Sequence, residues 1–473
     1  MYELGQELNR PATLDDVPDS ELDRLEEQGF EWVWFLGVWQ TGEASRSVSR
    51  SLPEWIAEFQ SLLPNFKIED VCGSCFAIKK YVTHSDFGGD QALARLRDRL
   101  HQRGMKLLLD FVPNHTALDH EWVQSHPEFY VEGTAEQLQQ QPKNYIQIWS
   151  GGKQSVLAYG RDPYFDGWSD TLQLNYANPA LQQAMAKVLA GIAERCDGVR
   201  CDMAMLILPE VFERTWHQRC EPFWPRATAS VRAKNPDFLF MAEVYWDLEW
   251  ALQQQGFDYT YDKRLYDRLR EGHAHPVREH FWADLGYQMK SARFLENHDE
   301  PRAAATFTPE THRAAAVLTF LCPGLRFFHD GEFEGRTKKV PVHVRRRPEE
   351  PVDRSLAEFY RDLLRCVHQD VARDGEWQLL NGTAAWEGNW TSDCFIGFAW
   401  RKGSEMLVAA VNYAPNQSQC YMQLPWLNTK QGTLRLVDQM GPSVFEREAG
   451  DLQSKGLYLD MPAWGYHVFA VRH

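Results

Sequence analysis

The chain has 473 residues, too many for one small domain, so a barrel-sized domain with a smaller second domain is expected. With 50 Lys and Arg against 66 Asp and Glu, the net charge of -16 argues against binding to phosphate backbones, which requires clustered cations. A neutral small-molecule ligand is therefore expected rather than a nucleic acid. The aromatic content is high, with 18 Trp, and although a large aromatic core accounts for most of these residues, such rings can also stack on the apolar faces of sugars or of an oligosaccharide.

The first residues carry neither a basic start nor an apolar run, so we expect no signal peptide. No stretch has the apolar length of a membrane span, and no membrane partner is expected. The nine cysteines are odd in number and scattered, a pattern typical of free thiols in a reducing cytosol, so a cytoplasmic location is expected. Cys72 and Cys75 have the spacing of a redox or metal motif, but a single pair is a weak signal.

Short apolar runs alternate with amphipathic stretches from the N-terminus to about residue 330, which predicts parallel strands joined by crossover helices. The runs predicted to be strands are Trp32–Val38, Lys106–Phe111, Gly198–Asp202, Phe238–Val244, Phe257–Tyr261, Ala292–Glu296 and Leu325–His329. Their spacing favours an α/β fold, the (β/α)8 TIM barrel. The eighth strand would be the short segment Tyr2–Leu4, or else the chain begins after the fuller first strand of such barrels.

Two further parts are predicted beside the barrel. About sixty residues separate the strand that ends at Phe111 from the helix that opens near Asn178, which is too long for an ordinary βα loop and predicts an inserted lobe after the third strand. From about Gly375, short alternating runs separated by turn residues predict a C-terminal antiparallel β-sandwich. The predicted limits are 1–115 and 176–372 for the catalytic barrel, 116–175 for the lobe and 373–473 for the sandwich.

Carboxylates stand at or just after the ends of predicted strands in four strings. The strings are DFVPNH (110–115), GVRCD (198–202), MAEVYW (241–246) and FLENHDEPR (294–302). In a parallel barrel the catalytic groups lie at the carboxyl ends of the strands. One acidic residue at such a place is explained equally well as a helix N-cap, but four together, each beside His, Arg or Asn, indicate a site. Two carboxylic acids flanking one bond, with a third to hold the sugar, are what cleavage of a glycosidic bond requires.

Together these strings resemble the ordered signature of glycoside hydrolase family 13, the α-amylase family. The resemblance extends from about Gly29 to Gly331 and includes the run FGGDQALARLRDRLHQRGMKLLLDFVPNH before the lobe. It implies a TIM barrel with an inserted lobe and a glycosidase that retains the α-configuration. The joint match is specific, whereas each string alone is only a moderate signal.

The resemblance also implies a role for each matching residue. Asp202 matches the family's nucleophile, and Arg200, two positions earlier, would hold that carboxylate ionised. Glu243 matches the acid/base, which must start protonated and is expected in a less polar setting. Asp299 would accept hydrogen bonds from sugar hydroxyls.

Further residues are expected to bind the substrate or to support the site. His298 and His115 match histidines of the family that contact sugar hydroxyls, and Asp110 is expected to support the site rather than to react. Phe76 and Tyr81 are both candidates for the stacking aromatic residue of the family, with simple packing as the alternative for each.

Two departures from the family bear on cofactor and substrate. Gln173, in LQLN (172–175), stands where family members that bind calcium between barrel and lobe usually carry an Asp. Losing a carboxylate weakens a hard-cation site, so no metal or other cofactor is expected to be essential, although Asn114 remains a possible oxygen ligand for calcium. Met205 and Leu206 replace the Lys-His pair with which typical α-amylases bind glucan, so specificity for long starch is doubtful.

Three functions are compatible with these residues. The leading hypothesis is a retaining α-glycoside hydrolase that acts on short α-glucosides or malto-oligosaccharides through a covalent glycosyl-enzyme. A transglycosylase or isomerase of the trehalose synthase type would use the same residues, with a sugar hydroxyl in place of water. A non-catalytic binding subunit is a remote third reading, because such a subunit should lack members of the carboxylate set, and all are present here.

Overall fold

A computed structural model describes residues 1–427 and 431–472. The chain divides into a first unit, residues 1–261 with 340–348, and a second unit, residues 262–339 with 349–473. Every one of the seven predicted barrel runs contains a strand, five in the first unit and two in the second. Within the described residues, no helix is both long enough and apolar enough to span a membrane.

The first unit mixes parallel strands, helices and short antiparallel pairs. Its strands are β1 Trp32–Trp34, β2 Trp39–Thr41, β3 Ile78–Thr83, β4 Lys106–Phe111, β5 His115–Ala117, β6 Tyr145–Ser150, β7 Lys153–Ala158, β8 Thr171–Gln173, β9 Gly198–Cys201, β10 Leu239–Ala242 and β11 Tyr259–Tyr261. Its α-helices are α1 Tyr2–Leu8, α2 Asp19–Glu27, α3 Glu43–Ser51, α4 Pro53–Leu62, α5 Gly89–His101, α6 Trp122–Ser125, α7 Ala135–Gln140, α8 Pro179–Ala193, α9 Pro209–Trp216, α10 Trp224–Arg232 and α11 Glu249–Gln253. Short 3₁₀ turns cover Leu14–Asp16, Ile68–Asp70, Ser85–Phe87, Pro127–Phe129 and Ala204–Ile207.

Five of these strands form a parallel sheet in the order β1-β4-β9-β10-β11. The strands β4, β9 and β10 are almost wholly buried, as expected of a parallel sheet that helices cover. Helix α5 presents Leu93, Leu96 and Leu100 at helical spacing, and all three side chains are buried. The register sets Asp110 of β4 opposite Arg200 of β9, so the sheet itself brings these two residues together.

The N-terminal segment is helical, and the expectation that Tyr2–Leu4 forms a barrel strand is wrong. These residues belong to α1, which ends at Asn9 in the left-handed conformation with φ 52°. Three residues do not define a periodicity, and Glu3 lies in the first turn of the helix, where a negative charge is favourable. The Arg347 guanidinium binds the Glu3 carboxylate at 2.7 Å, which fastens the helix to the rest of the unit.

Two antiparallel pairs lie in the stretch where the inserted lobe is predicted. Strand β5 pairs with β8, and β6 pairs with β7 in a hairpin. Gly151 and Gly152 form the two-residue turn of this hairpin with φ of 57° and 80°. A two-residue turn with positive φ at both positions matches the twist of the strands and favours glycine. The fold class with its inserted lobe is therefore as predicted, while the domain limits stay predictions.

The second unit begins with two more parallel strands and continues into the C-terminal β-structure. Its strands are β12 Ser291–Arg293, β13 Leu325–Arg326, β14 Glu376–Leu379, β15 Gly382–Thr383, β16 Phe395–Lys402, β17 Glu405–Asn412, β18 Ser418–Met422, β19 Thr433–Asp438, β20 Val444–Glu448, β21 Leu457–Met461 and β22 Tyr466–Arg472. Its α-helices are α12 Lys263–Glu271, α13 Ala274–His280, α14 Leu285–Met289, α15 Ala303–Thr306, α16 Pro309–Phe320, α17 Arg354–Val367, α18 Asp370–Asp374 and α19 Ala449–Lys455, with a 3₁₀ turn at Thr391–Cys394. Strands β12 and β13 pair in parallel.

The C-terminal strands form two antiparallel sheets that share one core. Six strands are ordered β14-β16-β17-β22-β19-β20, and three are ordered β15-β18-β21. Buried residues of both sheets pack in one cluster, among them Val408 and Phe469 from the larger sheet and Cys420, Met422 and Leu459 from the smaller. This arrangement confirms the predicted β-sandwich.

Candidate active site

Arg200, on β9, lies at the centre of a buried charged group. Its Nη1 donates to Asp202 Oδ1 at 2.7 Å, and its Nη2 donates to Glu243 Oε2 at 2.6 Å. The same Nη1 lies 3.8 Å from Asp110 Oδ1. The Arg200 side chain is 0% exposed, and the carboxylates of Asp110, Asp202 and Glu243 are buried with it. One cation therefore faces three acidic groups, and we call these four residues the Arg200 cluster.

Parallel pairing of three neighbouring strands assembles the Arg200 cluster. Asp202 follows β9, and its backbone N–H donates to the Phe111 carbonyl of β4 at 2.8 Å. Glu243 follows β10, and its N–H donates to the Cys201 carbonyl at 3.0 Å. Because neighbouring parallel strands end at one edge of the sheet, residues far apart in the chain meet there. The structure thus brings together four of the residues predicted from sequence.

Glu243 has a buried but polar setting, unlike the less polar setting expected for it. Besides the bond from Arg200, Glu243 Oε2 accepts a hydrogen bond from the Met203 N–H at 2.8 Å. Its other oxygen, Oε1, is bonded to the Tyr245 hydroxyl at 2.8 Å. Met203 has a φ of 42°, and this left-handed turn after Asp202 aims its N–H at the carboxylate. Three donors converge on Glu243, and donors of this kind favour the ionised form of a carboxyl group.

The carboxyl group of Asp110 is easier to protonate than that of an ordinary aspartate. Burial raises the pKa of its carboxyl group from 3.8 to about 7, against the opposing influence of Arg200 and of a backbone donor. That donor is the Gly37 N–H, at 2.8 Å from Asp110 Oδ2. Gly37 has a φ of 74°, and a Cβ atom there would lie 2.5 Å from the Cys75 Cβ. The close approach of this turn therefore requires glycine.

Aromatic rings surround the Arg200 guanidinium. The ring centroids of Trp34, Phe76 and Tyr261 lie 5.2, 5.1 and 5.8 Å from its central carbon. These are cation–π distances, so the rings stabilise the positive charge while keeping water away from it. Phe76, one of the two stacking candidates, thus lies against the cluster.

Tyr81, the other stacking candidate, has a packing role in this structure. Its hydroxyl donates to the Val112 carbonyl at 3.1 Å and accepts from the Val112 N–H at 3.0 Å. Its ring meets the Trp39 ring edge-on, with centroids 5.6 Å apart. Because both its hydroxyl and its ring contact other residues of the fold, Tyr81 is placed to hold strands together.

His115 lies on β5 at the start of the lobe. Its ring packs against Trp168, with centroids 5.2 Å apart. Burial lowers the pKa of His115 to about 3, so the imidazole is neutral at physiological pH and can both donate and accept a hydrogen bond. Gly160 packs closely against it, since a Cβ there would lie 2.8 Å from the His115 Cβ.

His298 and Asp299 lie in the second unit, on the loop after β12. His298 Nε2 lies 3.0 Å from Asp299 Oδ2. Asn297 Oδ1 accepts hydrogen bonds from the N–H groups of Asp299 and Glu300 at 2.8 and 2.9 Å, which fixes the turn. The Asp299 side chain is 45% exposed, as a group that is to meet a ligand must be.

The residues around Gln173 do not fit a calcium ion. The Gln173 side-chain nitrogen donates to the carbonyl oxygen of Asn114 at 3.0 Å, to its Oδ1 at 2.9 Å and to the Leu174 carbonyl at 3.1 Å. Calcium would need these oxygen atoms as ligands, but here they accept hydrogen bonds from an amide. Gln173 and Asn114 are both fully buried. That no calcium is essential stays a prediction, and Gln173 supplies its physical reason.

Two other sequence features have no polar role at the site. Met205 and Leu206 are buried in the 3₁₀ turn after Asp202 and offer no hydrogen-bonding side chain. Cys72 Sγ donates to the His343 carbonyl at 3.3 Å, and Cys75 is a free thiol. No group of three or more potential metal-ligating side chains occurs among the residues that the structure describes.

Sequence analysis missed several groups that contact the cluster. Tyr245 had a recognisable signal, because residues two apart on an extended chain share a face and Tyr245 is two positions after Glu243. The backbone donors of Gly37 and Met203 had none, since their contribution depends on turn geometry. Trp34 and Tyr261 read as ordinary strand residues and are brought to Arg200 by the curvature of the sheet.

The fold and the cluster define a class, the parallel α/β barrels with an acidic site at the carboxyl ends of their strands. The family model described as "Alpha amylase, catalytic domain" matches residues 74–381. The chain therefore belongs to the α-amylase family, glycoside hydrolase family 13.

Known relatives agree with this assignment. Alpha-amylase MalA of Haloarcula japonica is 25% identical over 374 residues, covering 77% of this chain and 47% of the relative. An alpha-1,4-glucan:maltose-1-phosphate maltosyltransferase of Burkholderia pseudomallei is 25% identical over 59% of this chain and 22% of its own length. The solved maltogenic alpha-amylase AmyB of Thermotoga neapolitana shares the fold with a TM-score of 0.68 at 19% identity, over 96% of this chain and 93% of that one. The chain spans about half the length of the first curated relatives it matches.

Proposed function

We propose that the protein is a retaining α-glycoside hydrolase acting on short α-glucosides or malto-oligosaccharides. One observation carries the proposal: the carboxylates of Asp202 and Glu243 bond to the two terminal nitrogens of one buried guanidinium group, at 2.7 and 2.6 Å. Their placement on neighbouring strands suits the double displacement that the resemblance to the family's nucleophile and acid implies. The names of the amylase and maltosyltransferase relatives support an α-glucan or a fragment of one as substrate.

The proposed reaction has two steps. Asp202 attacks the anomeric carbon and forms a glycosyl ester, while Glu243 gives its proton to the glycosidic oxygen of the leaving sugar. Glu243 then takes a proton from water, whose oxygen attacks the same carbon and releases Asp202. Two inversions restore the α-configuration. Arg200 keeps Asp202 ionised through a charge-assisted bond and so keeps it nucleophilic.

Glu243 Oε1 is the oxygen that we assign to proton transfer. Its other oxygen is engaged by Arg200 and by the Met203 N–H. The Tyr245 hydroxyl donates to Oε1 at 2.8 Å, a bond that favours the ionised form of Glu243. When substrate binds, the glycosidic oxygen would take the place of the Tyr245 hydroxyl beside Oε1.

The other predicted site residues are assigned to binding and support. Asp299 and His298, from FLENHDEPR, would bind sugar hydroxyls, as would the neutral His115. Asp110 balances the charge of Arg200 and makes no bond to the sugar. These steps use no metal or other cofactor.

Transglycosylation or isomerisation is the second candidate. Its support is the relative named as a maltosyltransferase, which by that name transfers a sugar unit. The same glycosyl-enzyme would form, and the hydroxyl of a second sugar would attack it in place of water. The two candidates differ only in the second step.

The two candidates are separated by their products. The protein is incubated with maltose, trehalose, sucrose, isomaltose and soluble starch, and the products are followed by NMR from the first minutes. Hydrolysis predicts α-glucose as the first product of maltose, before it mutarotates. Accumulation of an isomeric disaccharide or a longer oligosaccharide would favour the transfer reaction.

The covalent step is tested at Asp202. Asp202→Asn is expected to lower kcat/KM by about 10⁴-fold or more, because the nucleophile is lost. A 5-fluoroglycosyl fluoride that slows the second step should add the mass of one sugar to the peptide that contains Asp202. The exposed Asp237→Asn, on the loop before β10, is the matched control and should keep full activity. Unchanged turnover in Asp202→Asn would show that the mechanism is wrong.

A further inference from the structure

The outer face of the small sheet β15-β18-β21 combines aromatic and hydrogen-bonding side chains. Along β18 and β21 buried residues alternate with outward ones, which are Gln419 and Tyr421 on β18 and Tyr458 and Asp460 on β21. The antiparallel register sets Tyr421 opposite Tyr458 and Gln419 opposite Asp460. The two tyrosine rings are in contact, with centroids 5.4 Å apart. This face thus has an aromatic pair beside a polar pair.

Two exposed tryptophans lie on the loop that follows β15. Trp386 is 55% exposed and Trp390 is 68% exposed. The buried Asn389 orders this loop, since its N–H donates to the Trp386 carbonyl at 3.1 Å and its side chain donates to Thr391 Oγ1 at 2.8 Å. Large apolar rings shown to solvent from an ordered turn indicate an interaction site rather than a folding requirement.

The tryptophan loop runs directly beside β18 of this sheet. Thr391, directly after Trp390, accepts a hydrogen bond from the Gln419 N–H at 3.0 Å through its Oγ1. At the other end of the loop, Thr383 of β15 pairs with Tyr421. We call this surface the aromatic face, and it comprises Trp386, Trp390, Gln419, Tyr421, Tyr458 and Asp460.

The charges on the aromatic face indicate the chemistry of its ligand. The segments 382–394, 417–423 and 457–461 contain no Lys or Arg but include Glu387, Asp460 and Asp393, of which Asp393 is paired with Arg278 at 2.9 Å. Phosphates, nucleic acids and other anions are therefore disfavoured. Asp460 Oδ1 accepts hydrogen bonds from the side-chain nitrogens of Gln417 and Gln419 at 2.8 and 2.9 Å, so these polar groups are held in fixed orientations.

We propose that the aromatic face is a second carbohydrate-binding site, which holds a chain of α-linked glucose residues. The tryptophan and tyrosine rings would stack on the apolar faces of the sugar rings, and the amide and carboxylate groups would bind hydroxyls. The choice of a neutral sugar rests on the composition of the face itself. The choice of an α-glucan rests on the proposed function, because a site that retains the polymer would supply ends to the hydrolytic site.

The test measures binding without turnover. In the Asp202→Asn background, maltoheptaose binding is measured by titration calorimetry and soluble-starch binding by affinity electrophoresis. The double variant Trp386→Ala/Trp390→Ala is expected to weaken maltoheptaose binding by about tenfold and to remove most of the retardation by starch. Trp282→Ala is the matched control, because Trp282 is 61% exposed in the same unit and lies outside the aromatic face. The control should bind as the parent does.

A second pair of variants keeps the test falsifiable if the tryptophan double variant folds poorly. Tyr421→Ala and Tyr458→Ala should each weaken starch binding, with circular dichroism confirming the fold. In the active background, all these variants should hydrolyse maltose as the parent does. If maltose is not hydrolysed at all, the proposed function fails, while the calorimetry still decides the second site.

Two results would overturn the proposal. One is glucan binding by the tryptophan variant equal to that of the parent and of Trp282→Ala. The other is a parent protein that sediments as a dimer and a tryptophan variant that sediments as a monomer, with unchanged glucan binding. That second result would identify the aromatic face as a contact between two copies of the chain.

Discussion

Arg200 supplies the positive charge that holds the Arg200 cluster together. It is fully buried, and a buried cation is stable only when paired. Its two terminal nitrogens serve different carboxylates, Asp202 and Glu243, which a lysine ammonium group cannot do with the same geometry. The site is thus held together by a planar fork that bonds two of the three acids around it.

Asp110→Asn should change how stability depends on pH. The pKa of Asp110 is raised from 3.8 to about 7 in the folded protein, so the folded state binds this proton more tightly than the unfolded chain does. The parent therefore loses stability as pH rises from 4 to 7, and the uncharged asparagine does not. We expect the free energy of unfolding of the variant, relative to that of the parent, to be higher at pH 7 than at pH 5. Urea unfolding at both pH values measures this difference.

Asp70→Asn is the control for this experiment. Although burial opposes it, the bond from Arg346 lowers the pKa of Asp70 below its ordinary 3.8, so this group stays ionised between pH 5 and pH 7. Its stability difference from the parent should be the same at both pH values. A constant difference for Asp110→Asn as well would contradict the assignment of a raised pKa.

Tyr245→Phe should move the pH profile of activity. The Tyr245 hydroxyl is 2.8 Å from Glu243 Oε1, and losing this donor makes the ionised form of Glu243 less favourable. Because Glu243 must be protonated to act as the acid, the alkaline limb of kcat/KM should shift to higher pH. The check is a kcat/KM profile from pH 4 to pH 9. Tyr259→Phe, at the start of β11, is the matched control, and an equal shift in that variant would refute the role of Tyr245.

At the scale of elements, the strands and helices with a clear apolar periodicity could be predicted from the sequence. Features that depend on turn geometry could not. The apolar runs are long enough to mark all seven strands, and the match of GVRCD and MAEVYW placed Asp202 and Glu243 on neighbouring ones. Three residues at the N-terminus were too few to distinguish a strand from the first turn of α1. Phe76 and Tyr81 could not be separated either, because both are aromatic residues of one short segment and only the fold decides which ring faces Arg200.

Gln173→Asp should make stability depend on calcium. The substitution removes three hydrogen bonds from the buried amide and sets a carboxylate beside the oxygens of Asn114 and Leu174. In EDTA, Tm should fall by at least about 3 °C relative to the parent. Added calcium should restore part of this loss, because the oxygens would then form a hard-cation site.

The parent and a lobe variant serve as controls for the calcium experiment. The parent should melt at the same temperature in EDTA and in calcium. Gln147→Asp, at an exposed position of β6, should behave like the parent in both buffers. A parent whose Tm falls in EDTA would show that a cation is bound after all.

At the scale of the molecule, the C-terminal sandwich is fastened to helices of its own unit by buried hydrogen bonds. The Trp400 indole donates to the Leu321 carbonyl at 2.7 Å, beyond the end of α16. The Tyr413 hydroxyl donates to the Leu269 carbonyl of α12, also at 2.7 Å. The sandwich thus supplies hydrogen-bond donors to carbonyl groups at the ends of two helices. It is a structural part of the unit as well as the carrier of the aromatic face.

Tyr413→Phe should weaken this attachment. Removing the hydroxyl leaves the buried Leu269 carbonyl with the Gly272 N–H at 3.1 Å, so the loss is one buried hydrogen bond, about 1 kcal/mol in the free energy of unfolding. Urea unfolding followed by tryptophan fluorescence measures the change. Tyr458→Phe, at a residue that is 39% exposed, is the control and should be neutral. Equal stability of the two variants would contradict the attachment.

The register that sets Asp110 opposite Arg200 also has a consequence for how the barrel is assembled. Side chains along a strand alternate between faces, so a slip of one residue between β4 and β9 would separate Arg200 from Asp110, and the same slip between β9 and β10 would separate it from Glu243. An unpaired buried arginine costs several kcal/mol, of order 3–5 when a buried pair is broken. A wrong register between these strands therefore costs the most free energy at the proposed catalytic site. The charges proposed for catalysis also select the correct strand alignment during folding.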